Sequence, residues 1–164
     1  MVLLKNILVA TDFGEASDAA LTYGRDLARS YGATMHVLHV AENVLLRFAG
    51  DTSFAVLPDL QAKVEENARE RMHALVTEED RNLLRAKPVV VTSLSTAEAI
   101  VGYARAHNVD LIVMGTHGRR AFEHLLMGSV AERVVRTAPC PVLTVRHPER
   151  EFVGPDALVA VARA

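Results

Sequence analysis

The chain has 164 residues, 50% of them apolar and 23% charged, with a formal net charge of −2. That length predicts one domain able to bury a real core, and the composition excludes a disordered chain. The balanced charge argues against a nucleic-acid-binding protein, which shows a basic footprint, and no apolar run is long enough for a membrane span.

The first stretch, "MVLLKNILVATDF", reads as an opening strand over 5–11 and not as a signal peptide, since Lys5 and Asp12 interrupt it early. A helix is predicted over 16–31, with Ala20, Gly24, Leu27, Ala28 and Tyr31 on one face and Gly32 as its stop. A second strand follows at 34–40. Residues 42–59 have no clean period and read as a long loop with a short helical piece. The longest helix is predicted over 58–85. There Leu60, Val64, Ala68, Met72, Leu75 and Val76 recur at spacings of three and four, opposite Glu65, Glu66, Arg69 and Glu70.

A third strand is expected at 88–93. The next helix, 96–107, opens on Ser95 and Glu98, spaced as a capping box. A fourth strand at 110–115, a helix at 128–138 carrying Val130, Val134 and Val135, and a fifth strand at 141–145 complete the pattern. The strands are short and almost continuously apolar, as in parallel sheets covered on both faces. Strand and helix alternate throughout, so the fold class is α/β: a doubly wound five-stranded parallel sheet with helices on both faces. The domain is expected over 1–147. Pro148, Gly154 and Pro155 set off a tail at 148–164, with a short helix as one of its options.

In such sheets ligands bind beyond the carboxyl ends of the strands, at the point where the winding reverses. The first strand ends in Ala10, Thr11 and Asp12, the fourth in Met114 and Gly115, and both lead into polar, glycine-containing loops. Gly115 and Gly118 can take positive φ and let a ligand approach the main chain, and successive amides there form a nest for anions. Gly128 and Ser129 then open a helix whose first amides are unpaired and whose dipole favours negative charge. A di- or triphosphate is the natural occupant. Neither a G-x-x-x-x-G-K-[ST] loop nor a G-x-G-x-x-G turn is present.

Gly115-x2-Gly118-x9-Gly128-Ser129 resembles the G-2x-G-9x-G-[S/T] signature of ATP-binding universal stress proteins. "ILVATDF", "VDLIVMGTHGRR" and "GSVAERVVRTAPCPVLTVR" resemble that family's blocks, in matching order over about residues 3–146. The resemblance implies a Rossmann-like fold with strand order 3-2-1-4-5 and a homodimer formed through the last strand, 141–146. It implies that Asp12 lies near the nucleoside and that Val40 or Ala41 meets adenine through the backbone. Gly115, His117, Gly118, Arg119, Gly128, Ser129 and Val130 then surround ribose and phosphates. Two departures stand out: Gly14 occupies a position where Ser is frequent, and the tail exceeds the usual family length.

Blander roles compete at several positions. Asp12 serves equally as a helix cap, and the glycines as a plain loop. His36 and His39 form H-x-x-H on a strand, where positions three apart face opposite sides, so no metal site is expected. His117 and His124 have no carboxylate or Cys at ligand spacing. Cys140, the single cysteine, has no C-x-x-C partner and reads as a buried thiol in a reducing, cytoplasmic protein. Arg119 and Arg120 are either solvated charges or phosphate contacts.

The expected function is a nucleotide-dependent stress-response regulator binding ATP, with or without Mg2+, and acting on an unidentified protein partner. An enzyme is not expected: a Walker lysine, an acidic pair for Mg2+ and a positioned base are missing, although slow hydrolysis or autophosphorylation is compatible. The alternatives are a slow ATPase or phosphotransferase of the wider adenine-nucleotide hydrolase-like group, and a non-nucleotide interaction module.

Overall fold

A computed structural model describes residues 1–47, 57–117 and 127–147. Its elements, in chain order, are β1 (Asn6–Thr11), α1 (Glu15–Tyr31), β2 (Thr34–Glu42), α2 (Val44–Arg47), α3 (Leu57–Leu75), α4 (Glu78–Leu83), β3 (Lys87–Ser93), α5 (Thr96–Ala106), β4 (Leu111–Gly115), α6 (Ser129–Thr137) and β5 (Val142–Val145). The five strands form one sheet of order β3-β2-β1-β4-β5, and every neighbouring pair is parallel. The expected strand order and helix layers are both present.

The alternation of a strand's side chains splits the core in two. Ile7 and Val9 of β1 join Met35 and Val37 of β2 under Ala20, Leu21 and Ala28 of α1 and Met72 of α3. Leu8 and Ala10 join Leu38 on the other face, under Ile100 and Ala104 of α5 and Val134 of α6. Central strands buried on both faces need apolar residues at every position, which is why β1 carries no outward polar stripe.

Several local expectations are corrected. The helix predicted over 58–85 is two helices, α3 and α4. Thr77 accepts a bond from the Asp80 amide at 3.1 Å, and Asp80 accepts one from the Thr77 amide at 3.0 Å. This reciprocal cap starts a new helix where apolar spacing alone continued the old one. On α3, Leu60 is exposed and Gln61 is buried, because the Gln61 carboxamide accepts the Val44 amide at 2.8 Å and ties α2 down. Tyr31, placed by its spacing on one face with Ala20 and Ala28, is also exposed, as is Val135 of α6. Ser95 makes no side-chain cap on α5; Ser93 takes its amide at 3.1 Å, and Glu98 pairs with Arg133 instead. Of the loop expected over 42–59, 48–56 lie outside the described residues, as does the whole tail 148–164.

His36 and His39 face opposite sides of β2. The His36 ring is 2% exposed and its Nδ1 lies 2.8 Å from the Tyr103 hydroxyl, while His39 Nδ1 lies 2.9 Å from the Thr11 carbonyl. Cys140 is half-buried ahead of β5, and burial, then the charge of Asp110, push its thiol up. No helix among the described residues is long and apolar enough to cross a membrane.

Candidate functional site

A cleft of about 970 Å³ opens at the carboxyl ends of β1, β2 and β4, near the upper limit of small-molecule pockets. Eleven of the thirteen residues marked in the sequence line it: Ala10, Thr11 and Asp12 from the end of β1, Val40 and Ala41 from β2, Met114, Gly115 and His117 from the end of β4, and Gly128, Ser129 and Val130 at the start of α6. The other two, Gly118 and Arg119, lie outside the described residues. Four chain segments far apart in sequence therefore meet at one opening, as the reversal of winding between β1 and β4 requires.

The turn after β1 is built by its own side chains. Thr11 Oγ1 accepts the Phe13 amide at 2.9 Å and lies 3.1 Å from Ser17 Oγ. Asp12 is not the cap of α1; that position is Gly14, and Asp12 Oδ1 accepts the Gly14 amide at 3.0 Å. This turn places Phe13 at φ 61°, in the left-handed region, an uncommon conformation for a bulky residue. The Phe13 ring sits 4.4 Å from that of His39 and 4.3 Å from the Arg71 guanidinium.

Gly115 is required for a different reason from the one expected. Among the described glycines only Gly32 has positive φ. A Cβ on Gly115 would lie 2.9 Å from the backbone carbon and from the Cβ of Ala16. The glycine therefore lets the end of β4 close against the first turn of α1, next to the cleft.

Thr116 bonds to both of its neighbours in the fold. Its amide donates to the Val145 carbonyl at 2.8 Å, and its carbonyl accepts the Gly128 amide at 2.8 Å. The ends of the 117–127 segment are thus pinned together. Gly128 is the N-cap of α6 and offers no side chain, so no side-chain cap occupies the amides at the start of the helix. Those donors and the positive end of the helix dipole favour an anion. His117 Nδ1 lies 3.0 Å from Thr116 Oγ1 at the rim.

One wall of the cleft was not marked in the sequence. Lys63, Val64, Asn67, Ala68 and Arg71 of α3 line it, as do Thr96 and Ile100 of α5 on the opposite side. The spacing 63, 67, 71 is itself a helical stripe, legible as such. What the sequence does not reveal is that this stripe faces the ends of β1 and β2. No cluster of three or more potential metal ligands exists among the described residues.

The profile of the universal stress protein family matches residues 4–146. A universal stress protein of Thermus aquaticus is 36% identical, covering 88% of this chain and 100% of the relative. One of Methanocaldococcus jannaschii is 30% identical, covering 89% of this chain and 97% of the relative. Among solved structures, UspA from Lactobacillus plantarum has a TM-score of 0.70 at 26% identity, covering 89% of this chain and all of its own. Two more distant structures share the fold: a universal stress protein in complex with cAMP, at 21% identity and TM-score 0.57, covers 88% of this chain and 98% of its own. The other, from Archaeoglobus fulgidus in complex with dAMP, is 18% identical with TM-score 0.52, covering 88% of this chain and 99% of its own.

Proposed function

The chain belongs to the universal stress protein family, and from that premise we propose that its cleft binds an adenine nucleotide, ATP in the first place, and that occupancy is its regulatory signal. The observation that carries this reading is the meeting, in one cleft, of the β1 end, the β2 end, the β4 end and the bare N-terminus of α6. The base lies against Val40 and Ala41, the ribose crosses the end of β1 at Asp12, and the phosphates reach the amides of Ser129 and Val130. Gly118 and Arg119, outside the described residues, are assigned to the phosphates by the same reading. The cAMP and dAMP held by two fold neighbours support adenine as the base.

The protein acts as a binder rather than as an efficient enzyme, since among the described residues the cleft presents no pair of carboxylates converging on a phosphate site; Asp12 and Glu42 come from the ends of different strands, and Glu42 pairs with Arg47. It works as a homodimer through β5, an edge strand of the sheet among the described residues, where main-chain pairing can continue into a second copy. Titration calorimetry with ATP, ADP and AMP tests the binding. Saturable heat that Gly128→Val abolishes, with the far-ultraviolet spectrum unchanged, is the expected result. Absence of heat with all three nucleotides, and no shift in melting temperature, would remove the reading.

A further inference from the structure

We infer that the α3 wall of this cleft is a second anion site, formed by Lys63, Asn67 and Arg71, which takes a phosphate on the ribose of the bound nucleotide. The inference rests on the nucleotide reading above and goes beyond it: the ligand class becomes a nucleoside bisphosphate, phosphorylated both at the 5′ end and on a ribose hydroxyl.

The first support is charge. Arg25, Arg47, Arg69, Arg81, Arg133 and Arg136 each hold a carboxylate within 4.0 Å. Arg71 and Lys63 hold none among the described residues, although both line the cleft. The acids nearby are committed elsewhere. Glu65 of α3 is engaged by Arg69, Gln61 and Thr92, and Glu42 by Arg47. Asp12, the other carboxylate among the described residues of the cleft, accepts the Gly14 amide at Oδ1. Two cations therefore line the opening with no carboxylate within 4.0 Å among the described residues.

The second support is position. Lys63, Asn67 and Arg71 are four residues apart in turn, so their side chains are neighbours on one helical face. Arg71 is held at the end of β1: it donates to the Phe13 carbonyl at 3.5 Å and lies over the Phe13 ring. A nucleotide with its base at Val40 and Ala41 and its 5′ phosphates at Ser129 carries its ribose past Asp12 and Phe13. Arg71 stands beside that path, on the side away from α6. Its fork of donors matches phosphate geometry, the Lys63 ammonium adds a point charge, and the Asn67 amide supplies a further donor. Phe13 at φ 61° is a strained residue of the kind found at ligand sites, and here it fixes where Arg71 rests.

The test is calorimetry on the full chain with AMP, adenosine 3′,5′-bisphosphate and adenosine 2′,5′-bisphosphate in one buffer. One bisphosphate should bind about tenfold or more tighter than AMP, and the preferred isomer identifies the hydroxyl. Lys63→Ala and Arg71→Gln should each move that affinity ratio towards one, whereas Gly128→Val should abolish binding of all three. Lys63 is exposed, so its variant reports even if Arg71→Gln fails to fold. Equal wild-type affinities for AMP and both bisphosphates, or a ratio unchanged in the variants, would overturn the second site and leave the nucleotide reading standing. A wild type that binds none of the three would overturn both.

Discussion

His36 illustrates how a single buried side chain gives the fold a pH dependence. Burial, then the charges of Lys87 and His107, push its imidazole from 6.5 down to about 4, and Nε2 has no hydrogen-bond partner among the described residues. The unfolded chain protonates this residue near 6.5, whereas the folded chain resists until about 4. The stability contributed by the neutral ring is therefore complete above pH 6.5 and is lost as pH falls towards 4. Between pH 7 and pH 5 the loss should be about 2 kcal/mol. Urea denaturation of wild type and His36→Gln at both pH values checks it: the variant should lose less by about that amount, and parallel losses would show that His36 is not responsible. Gly115 makes a second residue-scale prediction. Gly115→Ala should destabilise the fold by about 1–3 kcal/mol through overpacking against Ala16 and weaken nucleotide binding with it. An unchanged denaturation midpoint would contradict the close approach. The sequence marked Gly115 correctly as a cleft residue but for positive φ, because a packing requirement between β4 and α1 leaves no local signature.

At the scale of elements, α4 is held by one ionic clasp. Arg25 of α1 donates to both carboxylate oxygens of Asp80, at 2.8 and 2.7 Å, and to the Leu75 carbonyl at 3.0 Å. Burial works to raise the Asp80 carboxyl, but the bonds from Arg25 and Thr77 outweigh it and hold the group below its usual range. Its contribution is present at neutral pH and lost as pH falls through that lowered value. Arg25→Ala strands a buried carboxylate and should cost about 3 kcal/mol, with a smaller effect for Arg25→Lys; a loss under 1 kcal/mol on denaturation would show the clasp to be dispensable. The division of 58–85 into α3 and α4 is present in the sequence as Thr77-x-x-Asp80, although apolar spacing runs through it unbroken. Ser95 and Glu98 show the reverse, a matching cap pattern whose members take other partners, Ser93 close by in the chain and Arg133 of α6. Local motifs of this strength, worth about 1 kcal/mol, are decided by what the fold places beside them.

For the whole molecule, the alternation of strand and helix made the parallel sheet legible, its order was implied by the family resemblance, and a reversal of winding between β1 and β4 then points to the cleft. The α3 wall was not legible, since it belongs to a layer whose rotation about its own axis is set by packing of Ala68, Met72 and Val76. Removing 148–164 should leave nucleotide affinity unchanged in calorimetry, and loss of binding would make the tail part of the site. Leu143→Asp on β5 should convert a dimer to a monomer in light scattering; a wild type that is already monomeric would dismiss pairing along that edge. The Thr116 bracket joins these two questions. One residue bonds to Val145 of the edge strand on one side and to Gly128 at the cleft on the other. A chain laid along β5 and a nucleotide seated at α6 would thus bias the same short stretch of backbone. Thermodynamic linkage then makes the effect mutual: the nucleotide's apparent affinity should vary with protein concentration, and self-association should vary by the same factor with nucleotide.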